Sequence, residues 1–260
     1  MKAIKNVKET YMKILVCGNY DCMSKKAAQI ILNQVKLKPN SVLGLATGST
    51  PIGMYKNLVQ MHKNGAIDFS EIITFNLDEY YSLSRDSEQS YYYFMYDNLF
   101  NHINIKHENI HIPNGMALDI DKECENYDEA IEEYGGIDIQ VLGIGNNGHI
   151  GFNEPTISFE KETHLVNLRS STIEANSRFF HNTEDVPKKA ITMGTGSIFK
   201  SKKIMLLAYG KSKADAIYNT VYGDVTPEVP SSILQFHNDV VLILDKEAAG
   251  KLNPNDYELI

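Results

Sequence analysis

Short apolar runs alternate with segments of helical period along most of this chain. That alternation restricts the fold more than any other feature. Lys13–Cys17, Ser41–Leu45, Glu71–Asn76, Ile137–Ile144, Ala190–Met193, Lys202–Ala208 and Val240–Leu244 read as strands. Between them, Ser24–Val35 repeats apolar residues at helical spacing (Ala27, Ala28, Ile31, Leu32, Val35), and Pro51 opens a second helix at its first turn. Ser90–Asn101 is an aromatic-rich helix, Asp121–Glu133 an acidic amphipathic one, and Ser212–Val221 a further helix. Strand-helix alternation predicts an α/β fold with a mostly parallel sheet covered by helices on both faces. The 260 residues carry no internal repeat and no linker. One domain over 13–260 is therefore expected, behind a short mobile extension, 1–12. Segment 153–188 is the most polar and least regular stretch, and reads equally well as a lid or a surface excursion.

Charge and composition remove several classes of function. The formal net charge is -8 and no block of Lys or Arg stands out. Nucleic-acid binding, which needs a basic face, is not expected. No apolar run approaches the ~18 residues of a membrane span, and the first dozen residues have no signal-peptide core. Cys17, Cys22 and Cys124 are odd in number, without a Cys-x-x-Cys pair, as befits free thiols in a reducing cytoplasm. A phosphorylated small substrate stays compatible, because it needs only two or three local cations.

The segment from Gly143 to Pro155 follows an apolar strand and is too rich in glycine to pack a core. It holds His149 and Glu154, with amides at Asn146, Asn147 and Asn153. Open α/β sheets bind ligands in loops at strand ends, and a histidine near a carboxylate moves protons around neutral pH. Gly143, Gly145 and Gly148 also match the dinucleotide fingerprint, which requires a helix to open at the last glycine. The residues after Gly148 make a poor helix start, so no nicotinamide or flavin site is expected.

Three further groups carry candidate chemistry. Thr47, Gly48, Ser49 and Thr50 lie between a strand and the helix at Pro51, where amides and hydroxyls beside a positive helix end suit an anion. The plainer reading is a helix N-cap by Ser49 or Thr50. Asp78 and Glu79 follow the third strand, where one can act as a base while its neighbour caps or orients, or both can be caps. Arg178 can clamp a phosphate or lie idle on the surface. Gly210-Lys211-Ser212 looks like the end of a P-loop, but Met205 stands where the upstream glycine is needed. Lys211 and Lys213 can still supply a charge. No zinc spacing and no serine-hydrolase elbow occurs, so neither metal nor organic cofactor is expected. An anion loop, one or two cations, a carboxylate base and a histidine relay suit proton transfer on a sugar phosphate.

Four segments in order resemble the glucosamine-6-phosphate deaminase/isomerase family: Leu43–Pro51, Thr74–Tyr80, Gly143–Pro155 and Ala175–Phe180. The similarity runs from about Lys13 to Leu252. It implies a modified Rossmann-like fold and conversion of glucosamine 6-phosphate and water to fructose 6-phosphate and ammonia. His149 would then open the sugar ring, with Glu154 and Asn147 orienting it. Asp78 would take the C2 proton and return it at C1. Thr47, Gly48, Ser49, Thr50, Arg178 and Lys213 would hold the phosphate, under a mobile lid near 164–186.

Two departures from the family pattern bear on regulation and pH. Many members have Asp where Asn147 stands; Asn still holds the imidazole by a hydrogen bond but supplies no charge, which moves the pH optimum. The Arg-x-Lys pair of hexameric, allosterically activated members is replaced by His164 and Val166, so activation by N-acetylglucosamine 6-phosphate is not expected, and a monomer or small homo-oligomer is. Galactosamine-6-phosphate deaminase, 6-phosphogluconolactonase and a non-catalytic sugar-phosphate sensor are the rival functions.

Overall fold

The computed structural model describes residues 12–177, 180, 182 and 185–260, with 171, 175 and 176 described by their backbone alone. The chain runs β1 (Met12–Cys17), α1 (Tyr20–Leu37), β2 (Val42–Leu45), α2 (Ile52–Lys63), β3 (Ile73–Asn76), β4 (Asp78–Tyr80), α3 (Tyr91–Asn98), β5 (Ile110–His111) and α4 (Ile120–Glu133). It continues with β6 (Ile139–Leu142), β7 (His164–Asn167), α5 (Ser170–Asn176), β8 (Lys189–Thr192), α6 (Thr195–Phe199), β9 (Ile204–Ala208), α7 (Ala214–Tyr222), β10 (Val240–Asp245) and β11 (Glu258–Leu259).

Eight strands form one parallel sheet in the order β11-β1-β10-β9-β6-β2-β3-β5. Its inner strands are largely apolar because both faces are covered, with Thr74, Asn76 and Gln140 among the buried polar exceptions. Within β1, Ile14 and Val16 join the core under α4 and α7 (Tyr127, Ile131, Ile217, Val221), while Leu15 and Cys17 join the core under α1, α2 and α3 (Ile31, Met54, Met95). Alternate residues thus feed opposite cores, as the pleat requires. On α1, burial of Met23, Ala27, Ala28, Ile31, Leu32 and Val35 follows the helical period. Each large side chain of that stripe contributes about 2 kcal/mol to docking. Asn19 starts the helix by accepting a hydrogen bond from the Cys22 amide.

Chain order places the ligand-binding end. From β2 the chain moves outward through β3 and β5 on one side, then through β6, β9 and β10 on the other. The reversal falls between β2 and β6, and a crevice opens beyond the carboxyl ends of strands at such a point. The loops after β2, β6 and β9 meet there.

One expectation needs correction. Ala190–Met193 is not a strand of the main sheet. β8 lies between β4 and β7 in a separate three-stranded antiparallel sheet, with Asp78 opposite Thr192 and His164 also opposite Thr192. Its own small core contains Tyr80, Phe152, Leu168 and Ala190. Segment 153–188 accordingly carries one strand and one helix among its described residues.

Candidate active site

After β6 the chain forms a compact loop rather than a helix start. The Gly145 amide donates to the His149 carbonyl at 2.9 Å, and the Gly148 amide to the Gly145 carbonyl at 3.1 Å. The dinucleotide reading fails on this geometry. The glycines serve the loop instead. A Cβ on Gly145 would lie 2.3 Å from the His149 ring, so the imidazole occupies the space that glycine vacates. Gly148 has φ +84°, a conformation that glycine adopts without strain.

His149 Nδ1 stands 3.4 Å from Glu154 Oε2, close enough for an ion pair but outside hydrogen-bond alignment. Burial works to raise the Glu154 pKa, but the neighbouring His149, with hydrogen bonds from Thr172 and Asn147, brings it down to about 2. The expected bond from Asn147 to the imidazole is replaced by two others. Asn147 Nδ2 donates to Glu154 Oε2 at 2.7 Å, and its Oδ1 accepts from the His149 backbone amide at 3.2 Å. Asn147 therefore holds the carboxylate and the loop rather than the ring.

The two acidic residues at 78 and 79 divide their roles. Pleating turns Glu79 the opposite way from its neighbours, and its carboxylate accepts from the amides of Tyr80, Tyr91 and Tyr92 at 2.8, 2.9 and 2.8 Å. It thereby assists Ser90 in capping α3. Asp78 remains for other work. It is 6% exposed, and burial, with the charge of Glu79, raises it from the usual carboxylate range to about 8. Its Oδ2 would lie 3.6 Å from a Cβ on Gly151, two residues beyond His149. Thr192, opposite Asp78 in the small sheet, accepts from the Phe152 amide at 3.1 Å. Both sides of Asp78 therefore lean on the loop that carries His149.

At the anion loop, Gly48 has φ +89° and turns the chain from β2 towards α2. The N-cap position falls on Pro51 and no side chain caps the helix. Neither Ser49 nor Thr50 performs the capping of the plainer reading. Tyr20 and Tyr209, absent from the candidates chosen by sequence, back this loop. Tyr20 OH accepts from the Gly53 amide at 2.8 Å and donates to the Ser49 carbonyl at 3.0 Å; Tyr209 OH donates to Ser49 Oγ at 3.3 Å. Tyr209 follows β9 directly and precedes Gly210 (φ +85°) and the 3-10 turn Lys211–Lys213, so it ties the loop after β9, with Lys213, to the anion loop. Arg178 lies outside the described residues.

Tyr91 lies on the Asp78 side of the crevice, its ring centroid 4.8 Å from that of Tyr80 and its face stacked on Phe152 at 5.9 Å. Burial lifts its phenol well above the ordinary value, with the charges of Tyr80 and Asp78 adding to the rise. An aromatic residue in an aromatic-rich helix carries no signal of such a role in sequence; its place just after the Ser90 cap, beside Asp78 in space, is a tertiary fact. Among the described residues no three His, Cys, Asp or Glu side chains gather as a metal site would require. No described helix is long and apolar enough to cross a membrane.

Known proteins match this arrangement over nearly its whole length. The family model for glucosamine-6-phosphate isomerases/6-phosphogluconolactonase matches residues 20–243. Glucosamine-6-phosphate deaminases of Clostridium botulinum (strain Alaska E43 / Type E3) and Clostridioides difficile (strain 630) are 69% and 65% identical over 249 residues; the match covers 96% of this chain and 100% of each relative. A solved monomeric glucosamine-6-phosphate deaminase superposes with TM-score 0.90 at 46% identity, over 92% of this chain and 99% of its own. The 6-phosphogluconolactonase of Thermotoga maritima shares the fold at TM-score 0.72 and 20% identity, over 90% of this chain and 99% of its own. A parallel sheet reversing between β2 and β6, with motifs of one family at its carboxyl end and relatives matching from end to end, leads to one conclusion: the chain belongs to the glucosamine-6-phosphate isomerase/6-phosphogluconolactonase family.

Proposed function

We propose that this chain converts glucosamine 6-phosphate and water to fructose 6-phosphate and ammonia, as an enzyme of amino sugar catabolism. The geometry that carries this reading is two carboxylates meeting at the loop after β6: Glu154 on that loop, with Oε2 3.4 Å from His149 Nδ1, and Asp78 on β4, whose Oδ2 would lie 3.6 Å from a Cβ on Gly151; their surroundings hold the first low and raise the second. Acid and base roles are assigned by such separations.

His149 passes a proton to the ring oxygen as the C1 hydroxyl loses one, which opens the pyranose to the aldehyde. Glu154, ionised throughout, holds the charge that the imidazole develops, and Asn147 fixes Glu154. Asp78 takes the C2 proton, forming an enolamine, and returns it to C1. Water then adds to the C2 iminium and ammonia leaves, giving the ketose. The substrate ammonium lies near the C2 hydrogen and favours the ionised form of Asp78 once bound. Thr47, Gly48, Ser49 and Thr50 take the phosphate, with Lys213 and Arg178 supplying charge. The lid assigned to 164–186, of which 178, 179, 181, 183 and 184 lie outside the described residues, would close over the bound sugar.

A cytoplasmic monomer or small homo-oligomer fits the solved monomeric relative. The deciding assay measures ammonia and ketose phosphate from glucosamine, galactosamine and mannosamine 6-phosphates, beside hydrolysis of 6-phosphogluconolactone. Equal yields of ammonia and fructose 6-phosphate from the gluco epimer are expected. Preference for the galacto epimer, or lactone hydrolysis without ammonia release, would replace the proposal with one of its rivals.

A further inference from the structure

Glu154 is held from both of its oxygens. Oε2 receives the Asn147 amide at 2.7 Å and faces His149 Nδ1 at 3.4 Å. Oε1 receives the hydroxyl of Thr172, which lies on α5 and not on the loop after β6. Thr172 is 8% exposed, as is Glu154, so water reaches neither partner freely. The same helix is tied a second time, since Arg169 at its N-cap position donates to the Pro155 carbonyl, one residue past Glu154. A carboxylate in such surroundings turns about its last side-chain bond unless both oxygens are engaged. Asn147 alone leaves that rotation open, and rotation changes how Oε2 meets the imidazole.

We infer that Thr172 is a positioning residue for the acid/base pair: its hydroxyl fixes the Glu154 carboxylate so that Oε2 stays presented to His149. The inference rests on the proposed role of that pair. Thr172 does not touch the sugar in this arrangement and acts through Glu154 alone. Neutral donors on both oxygens keep the carboxylate ionised and oriented, which a histidine taking and giving a proton in each turnover requires. Sequence offers no hint of it, because Thr172 is 18 residues from Glu154 and sits in the least regular part of the chain.

The test is steady-state ammonia release by Thr172→Val, which keeps the volume and removes the hydroxyl, beside Thr172→Ser, which keeps the hydroxyl and removes the methyl. Thr172→Val is expected to lose about 10-fold in kcat with KM little changed, and Thr172→Ser to recover most of that loss. Thr172→Ala carries the same expectation as Thr172→Val should the valine protein fail to fold. Adding Thr172→Val to Glu154→Gln should cost little further, since the charge that Thr172 holds towards His149 is already gone. An unchanged kcat in the hydroxyl-free variants, an equal loss in Thr172→Ser, or a full additional loss on the Glu154→Gln background would overturn the inference. Wild-type protein that releases no ammonia would instead overturn the proposed function beneath it.

Discussion

At the scale of single residues, burial sets the chemistry. Asp78 keeps its proton up to about 8 when folded, whereas an unfolded Asp loses it near 4. The folded state therefore binds the extra proton across that window, and stability falls as pH rises through it. Asp78→Asn should abolish turnover yet raise stability at pH 8, by on the order of a few kcal/mol, with little gain at pH 4. Thermal melts at the two pH values check this; a variant destabilised at both would make Asp78 a structural cap. Because the free enzyme needs Asp78 ionised, kcat/KM should climb with pH and level off near 8, and the kcat profile should level off lower, where the bound ammonium favours the carboxylate. Gly145→Ala places a methyl where the His149 ring lies and should cost about 100-fold in kcat while the fold persists; an active alanine variant would mean the ring is free to move. The meeting of His149 with Glu154 was legible in the sequence because a histidine and a carboxylate share one short glycine-rich loop; for Asp78 the residues alone left base and cap equally open. Tyr91, Tyr209 and Thr172 were not, because nothing in a tyrosine or threonine marks which distant loop it will meet.

Among the elements, the parallel strands were legible and the small sheet was not. Strands such as β9, apolar from end to end, and β10, apolar up to its last residue Asp245, announce burial on both faces. β4 and β7, by contrast, are three and four residues long and polar in part, and only pairing with β8 makes strands of them. That pairing matters, since it turns Asp78 towards the loop after β6 and Glu79 towards α3. Glu79→Ala should remove three backbone acceptor contacts and lower stability by about 2 kcal/mol, weakening activity through Asp78; Glu79→Gln should recover part of the stability. Chemical denaturation of the two variants checks the order. Lys213→Ala, at the start of α7, should chiefly raise KM, because the contact proposed for it is with the phosphate, which does not react. A fall in kcat at constant KM would move Lys213 out of the anion end.

Across the whole molecule, the crevice lies where the strand order reverses, and the parts that meet there come from segments more than 70 residues apart: Ser49 beside Tyr209, Asp78 beside Gly151 and Thr192. Alternation of strand and helix predicted the layers, and family resemblance predicted the reaction; neither fixed these meetings. His164 and Val166 sit on β7 in a cleft of about 350 Å³ bordered by Glu154 and Arg169, and offer a phosphate neither an arginine nor a lysine at those two positions. N-acetylglucosamine 6-phosphate should leave the rate curve hyperbolic and unshifted, which a substrate titration with and without it will show. The central claim is that one buried carboxylate carries hydrogen from C2 to C1. Its most direct test is turnover of glucosamine 6-phosphate deuterated at C2, with the fructose 6-phosphate read by NMR. A primary isotope effect, with part of the deuterium recovered at C1, is the predicted result. Hydrogen at C1 drawn wholly from solvent, with no isotope effect, would contradict it.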